Sequence, residues 1–143
     1  MAQSIRETPA TNGGGLTVNS KNLPWLPLAP KVSVKILRLS PESGGFAVIV
    51  RAEEGGILPR HRHLESAEIF IIRGSGGHPQ TGFFTEGDYI SEEKGAVHDP
   101  LVFGNEVELL MISNGPSTFL NDDDEEVHMM DVPMLEQLAE TAK

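Results

Sequence analysis

The stretch Gly55–Gly74, GGILPRHRHLESAEIFIIRG, places two of the chain's five histidines one residue apart and follows them with an apolar run. Side chains alternate along a strand, so His61 and His63 share a face. Glu68 opens the run EIFIIR after the bend LESA and shares its strand face with Phe70 and Ile72. If that face is the inner one, a carboxylate enters an apolar interior, which is expensive unless a cation pairs with it. The run IFII argues for burial of Glu68, whereas Glu65 fits an exposed place in the bend. A divalent metal held by His61, His63 and Glu68 would answer the need.

A second stretch, GDYISEEKGAVHDP (87–100), supplies a third imidazole, His98, three residues after Gly95. Three imidazoles and one carboxylate suit Fe(II), Mn(II), Co(II), Ni(II) or Zn(II). Sites of this kind with open positions bind a substrate and O2, or activate water.

The 143 residues contain no cysteine, which excludes disulfide scaffolds, iron–sulfur clusters and thiol catalysis. The formal net charge is −10, from 21 acidic and 11 basic residues. That balance argues against nucleic acid and anionic membranes as partners. No apolar run approaches the ~20 residues of a membrane span. The first fifteen residues have no apolar core of the signal-peptide type, so the expectation is a soluble cytoplasmic protein.

Residues 1–21 read as a flexible arm and 22–143 as a single domain. NLPWLPLAP (22–30) is extended by its prolines, and its Trp25, Leu26 and Leu28 are expected to pack across a sheet. KVSVKILRL, FAVIVRA, EIFIIR, TEGDYI, DPLVF and VELLMI read as strands, and STFLNDDDEEVHMM as a hairpin with an acidic tip. About eight to ten short strands at intervals of roughly 8–12 residues predict a sandwich or barrel. Asp131 caps a terminal helix, with Pro133 in its first turn and Leu135, Leu138, Ala139 and Ala142 on one face.

The two histidine stretches together resemble the cupin motifs. Gly55, His61, His63, Glu68 and Gly74 follow G-x5-H-x-H-x4-E and a closing glycine, the last one residue early. Gly87, Gly95 and His98 follow G-x5-P-x-G-x2-H-x3-N, with Glu93 in place of the proline and Val102 in place of the asparagine. From about Leu23 to Ala139 the chain is similar to single-domain cupins of the 2,4'-dihydroxyacetophenone and acetylacetone-cleaving dioxygenase group. The resemblance implies an all-β double-stranded β-helix, a jelly roll with a short C-terminal helix. It implies one divalent metal per chain on His61, His63, Glu68 and His98, with Fe(II) favoured. It also implies cleavage of a C–C bond in a small diketone or hydroxyaryl ketone with O2, Glu68 accepting a proton, and a homodimer. In those relatives the motif glutamate is often missing, and here it is retained. A redox-neutral zinc cyclase or isomerase is the second reading, and a metal-binding sensory cupin of the ChrR type the third. The extended 22–30 segment is a candidate for the dimer contact.

The remaining residues read more plainly. His78, in GSGGHPQ, is expected in an exposed loop, and His128 in a structural role. Arg60 and Arg62 alternate with the histidines and should face away from the metal. Arg51 and Arg73 could reach an anionic substrate or the acidic hairpin. Phe70, Phe83 and Phe103 read as core, and Asp122–Glu126 as a solvated turn.

Overall fold

The computed structural model describes residues 15–142, and most of the arm expected at residues 1–21 lies outside them. After a 3-10 turn at Ser20–Asn22 come β1 (Leu26–Ala29), β2 (Val32–Ser40), β3 (Gly45–Ala52), β4 (Ile57–Leu58), β5 (His61–His63) and β6 (Ala67–Arg73). Then follow β7 (Gly76–His78), β8 (Gly82–Phe84), β9 (Tyr89–Glu92), β10 (Val97–His98) and β11 (Leu101–Val102). The chain closes with β12 (Val107–Ser113), β13 (Ser117–Leu120), β14 (Glu126–Met130) and α1 (Val132–Glu140). The fourteen strands among the described residues exceed the expected eight to ten, because turns split the glycine-rich stretches into two- and three-residue pieces.

A six-stranded sheet runs β1-β2-β3-β12-β6-β9, and a four-stranded sheet runs β10-β5-β13-β14. The pairs β11–β4 and β7–β8 bridge the remainder. All pairings are antiparallel. This is the expected all-β jelly roll. Alternation builds its core: Val32, Val34 and Ile36 of β2, Val48 and Val50 of β3 and Ile69 and Ile71 of β6 all point inward and are buried. The 22–30 segment lies at the sheet's edge, where β1 pairs with β2, so it does not cross the sheet. Its Leu26 enters the core while Trp25 lies under Lys35 and Arg51.

The terminal helix forms as its sequence predicts. Asp131 accepts a hydrogen bond from the Met134 backbone N–H at 2.9 Å, and Leu135 is fully buried. No helix among the described residues is long and apolar enough to cross a membrane.

Gly74 ends β6 where the chain passes the start of β12. Its φ is +90°, and a Cβ there would meet the Glu106 carbonyl oxygen and lie 2.9 Å from Val107 Cα. Both the left-handed backbone and the close approach require glycine. Gly74→Ala should therefore lower stability in urea denaturation by about 2 kcal/mol or more. Gly82→Ala, at φ +94° with open space around the added Cβ, should lose only the ~1–2 kcal/mol of backbone strain.

Candidate metal centre

The short strand β5 is the platform of the site. It lies between β10 and β13, with His98 paired to His61 and Ser117 paired to His63. This sandwich fixes the direction of all three imidazoles. His61, His63 and His98 are 6%, 2% and 1% exposed, while Arg62 between the first two turns outward. Their donor nitrogens lie within 4.8 Å of one another, the only such cluster of potential ligands among the described residues. Donors ~2.1 Å from one ion stand about 3–4 Å apart, so small side-chain rotations close the set on a single ion.

Each ring is oriented from behind. His61 Nδ1 donates to the Pro59 carbonyl at 2.9 Å, which leaves Nε2 as its free lone pair. His63 Nδ1 pairs with Ser117 Oγ at 3.2 Å, leaving Nε2 buried without a hydrogen-bond partner.

Glu68 does not join them. Strand β6 sends Ala67, Ile69 and Ile71 inward and Glu68, Phe70 and Ile72 outward. Glu68 is exposed and accepts a hydrogen bond from Tyr89 Oη at 2.7 Å. The expected face-sharing is correct, but the face is the outer one. EIFIIR is apolar on both faces, so its periodicity cannot say which is inside. Burying Ala67, Ile69 and Ile71 avoids burying a charge.

Two residues that the sequence did not bring forward complete the cluster. Glu92, at the end of β9, is 3% exposed, and its Oε2 lies 2.5 Å from His98 Nε2. Its signal was the alternation that sets Glu92 on the face of Ile90. His78 is 8% exposed, and its ring centre stands 4.7 Å from that of His98 and 6.2 Å from that of His61. The glycines that suggested a loop instead make the hairpin β7–β8. A Cβ on Gly76 would sit 2.8 Å from Phe84 Cζ, so only glycine lets the hairpin lie down and turn His78 inward.

The electrostatics are those of a donor set. Every buried side-chain nitrogen or oxygen without a hydrogen-bond partner among the described residues belongs here: His63 Nε2, His78 Nδ1, Glu92 Oε2 and both nitrogens of His98. Glu92 and His98 approach closely but off the hydrogen-bonding direction. Such orphans are costly in an apolar interior, and a divalent cation fits them. Burial lowers His61 below its usual value and takes His63 and His78 down to about 4, so these imidazoles are neutral donors at neutral pH. Burial alone would raise the Glu92 carboxyl, but the imidazoles, His98 first, outweigh it and hold Glu92 below its usual range.

His61, His63 and His78 face a cavity of about 60 Å³, room for about four waters. Ile69, Ile71, Phe84, Phe103 and Leu109 line it, and among the described residues no Lys or Arg does. A separate polar groove beside β7–β8, lined in part by Gln80, Ser91 and Glu93, reaches His98 and Glu92 from outside.

The other expectations resolve at the periphery. Arg60 turns outward and bridges Asp99 at 2.5 Å and Asp124 at 2.8 Å. Glu65 pairs with Lys94 at 2.9 Å, in keeping with exposure in the bend. Arg73 pairs with Glu106 and Glu108, and Arg51 covers Trp25, so neither reaches the cavity or the acidic hairpin. His128 stacks on Phe119 at the surface. Phe103 is core, but Phe70 and Phe83 are exposed.

Comparison with known proteins agrees with this architecture. The ChrR cupin-like domain family matches residues 14–118. The chain belongs to that family. The cupin is similar in structure to an acetylacetone dioxygenase from Acinetobacter johnsonii, with TM-score 0.80, 18% identity and all of both chains covered. It is similar to an RmlC-like cupin from Ralstonia eutropha, with TM-score 0.80, 21% identity and 88% and 85% of the two chains covered. A candidate acetylacetone dioxygenase from Methylibium petroleiphilum gives TM-score 0.79 at 22% identity, covering 96% of each chain. At these identities the likeness is one of fold. No curated protein matches the chain.

The buried histidines set the acid response of the metal-free cupin. Unfolded, they protonate near 6.5; folded, His63 and His78 refuse the proton until about 4. Acid therefore favours the unfolded state throughout that window. Glu92, held low when folded, acts in the same direction below its unfolded value. The urea midpoint of metal-free protein should fall steadily between pH 6.5 and pH 4, and His78→Gln should flatten the slope. A midpoint constant over that range would contradict the buried neutral assignment.

Proposed function

We propose that this cupin is a mononuclear metal-dependent dioxygenase that cleaves a C–C bond in a small, uncharged diketone or hydroxyaryl ketone. The observation that carries the proposal is a trio of buried imidazoles gathered beside an apolar cavity that, among the described residues, no Lys or Arg lines. Its hydrophobic walls suit a compact carbon frame. His61, His63 and His98 would hold the ion, with Fe(II) favoured. Bound there, the ion would supply Lewis acidity toward a chelating enolate and access to O2.

The chain's own residues have separate tasks. Ile69, Ile71, Phe84 and Phe103 exclude water and orient the substrate. Glu92, ionised beside His98, accepts at Oε2 the proton released as the ketone becomes its enolate. The polar groove past Gln80 and Ser91 gives that proton a route to solvent. Ser117 and the Pro59 carbonyl keep His63 and His61 aimed at the ion.

Protein loaded anaerobically with Fe(II) should consume O2 with small diketones or hydroxyaryl ketones. His61→Ala and His98→Ala should each abolish stoichiometric metal and all O2 uptake. Glu92→Gln should keep the metal and lose about 100-fold in kcat, while Glu68→Ala should leave both unchanged. Stoichiometric metal with no O2 consumption on any such ketone would contradict the dioxygenase reading and favour redox-neutral Lewis-acid chemistry.

A further inference from the structure

The hairpin β7–β8 brings to the centre an imidazole that neither histidine stretch supplies. His78 is 8% exposed and lines the same cavity as His61 and His63. Its Nδ1 is buried and has no hydrogen-bond partner. The ring's hydrogen bond to the Asp99 backbone therefore falls to its other nitrogen, Nε2. That tautomer leaves the Nδ1 lone pair free. It is the arrangement of His61 with the two nitrogens exchanged, since there the Pro59 carbonyl holds Nδ1 and frees Nε2. Left unpaired, a buried lone pair only destabilises the fold, and an apolar side chain would fill the same place without that cost.

The hairpin is fastened where this matters. Gln80, two residues past His78, donates from Nε2 to Asp99 Oδ2 at 3.0 Å and accepts from the Asp99 backbone N–H at 3.4 Å. Asp99 follows His98 and is bridged to Arg60, which precedes His61. The same contacts thus tie the hairpin tip to the two segments that carry His98 and His61. β7 and β8 pair only with each other among the described strands, so the hairpin can shift as a unit.

The ring spacings fit one shared ion. The centres of His61, His63 and His98 stand 5.0 to 5.2 Å apart, and that of His78 stands 4.7 Å from His98 and 6.2 Å from His61. Imidazoles bound to one ion at about 2.1 Å have ring centres roughly 4.5 Å apart when adjacent and roughly 6.4 Å when opposite. His78 is not in the set of donors within 4.8 Å of one another, so its ligation draws the hairpin tip inward.

We propose that His78 is a fourth imidazole ligand of the ion, bound through Nδ1 and presented by the β7–β8 hairpin. Three ligands then come from the paired strands β5 and β10 and one from a separate hairpin. An octahedral ion held this way keeps two positions open, as many as a chelating ketone needs. The proposal rests on an ion at this centre and not on the reaction assigned to it.

The test is NMR of the full chain, made with nitrogen-labelled histidine and loaded with the spin-active isotope of Cd(II), which couples to every nitrogen that binds it. Signals are assigned by substituting the five histidines one at a time. Cadmium couplings should appear on His61, His63, His98 and His78, that of His78 on Nδ1, and none on His128. His78→Gln should remove one coupling, keep the other three and weaken Cd(II) binding at least about tenfold in chelator competition. The wild-type spectrum counts the ligands by itself, so a poorly folded variant cannot decide the matter. Couplings on His61, His63 and His98 with none on His78 would overturn the proposal and leave the three-histidine centre standing. Couplings on none of the imidazoles would overturn both.

Discussion

Four imidazoles and one carboxylate share a small volume inside an apolar barrel, and the price of removing them from water governs how the site is organised. Each unpaired lone pair there is costly, and crowding them together would be worse if they were charged. Burial holds His61, His63 and His78 below the usual imidazole value, and contact with His98 outweighs burial to hold the Glu92 carboxyl below its usual range. The result is a concentrated set of buried nitrogen and carboxylate donors. That is an electrostatic description of a cation site.

The fold supplies this constellation through very short strands. β5 is three residues long and β10 only two, yet their pairing fixes His61 against His98, while β13 pins His63 from the other side. The long strands β2, β3, β6 and β12 carry most of the core and form the opposite wall. Long strands thus give stability, and short strands between turns give position. The six-stranded sheet separates two roles by its pleat: Ile69 and Ile71 of β6 face the cavity, while Glu68 and Phe70 on the same strand face outward.

What the sequence reveals and conceals follows from that pleat. His61, His63 and His98 were legible because their strand spacing and the cupin-like spacing point the same way. The Asp131 cap and the face bearing Leu135 were legible because helix signals are local. Glu68 misled because EIFIIR is apolar on both faces, and a period-two pattern has no sign until the partner strands are known. His78 was hidden by glycines, which signal turns in sequence but here permit the hairpin to press on Phe84. Glu92 was hidden among three charged or polar neighbours in SEEK, where only its alternation with Ile90 marked it as buried.

The central claim is that one ion sits among His61, His63 and His98, with Glu92 beside His98. The most direct measurement is an anomalous difference map from crystals of protein loaded with a first-row divalent metal. One peak per chain is expected, about 2.1 Å from a nitrogen of each of the three imidazoles, with Glu68 far from it. A map in which those nitrogens surround no peak, or in which the ion lies at Glu68 on the outer face, would contradict it.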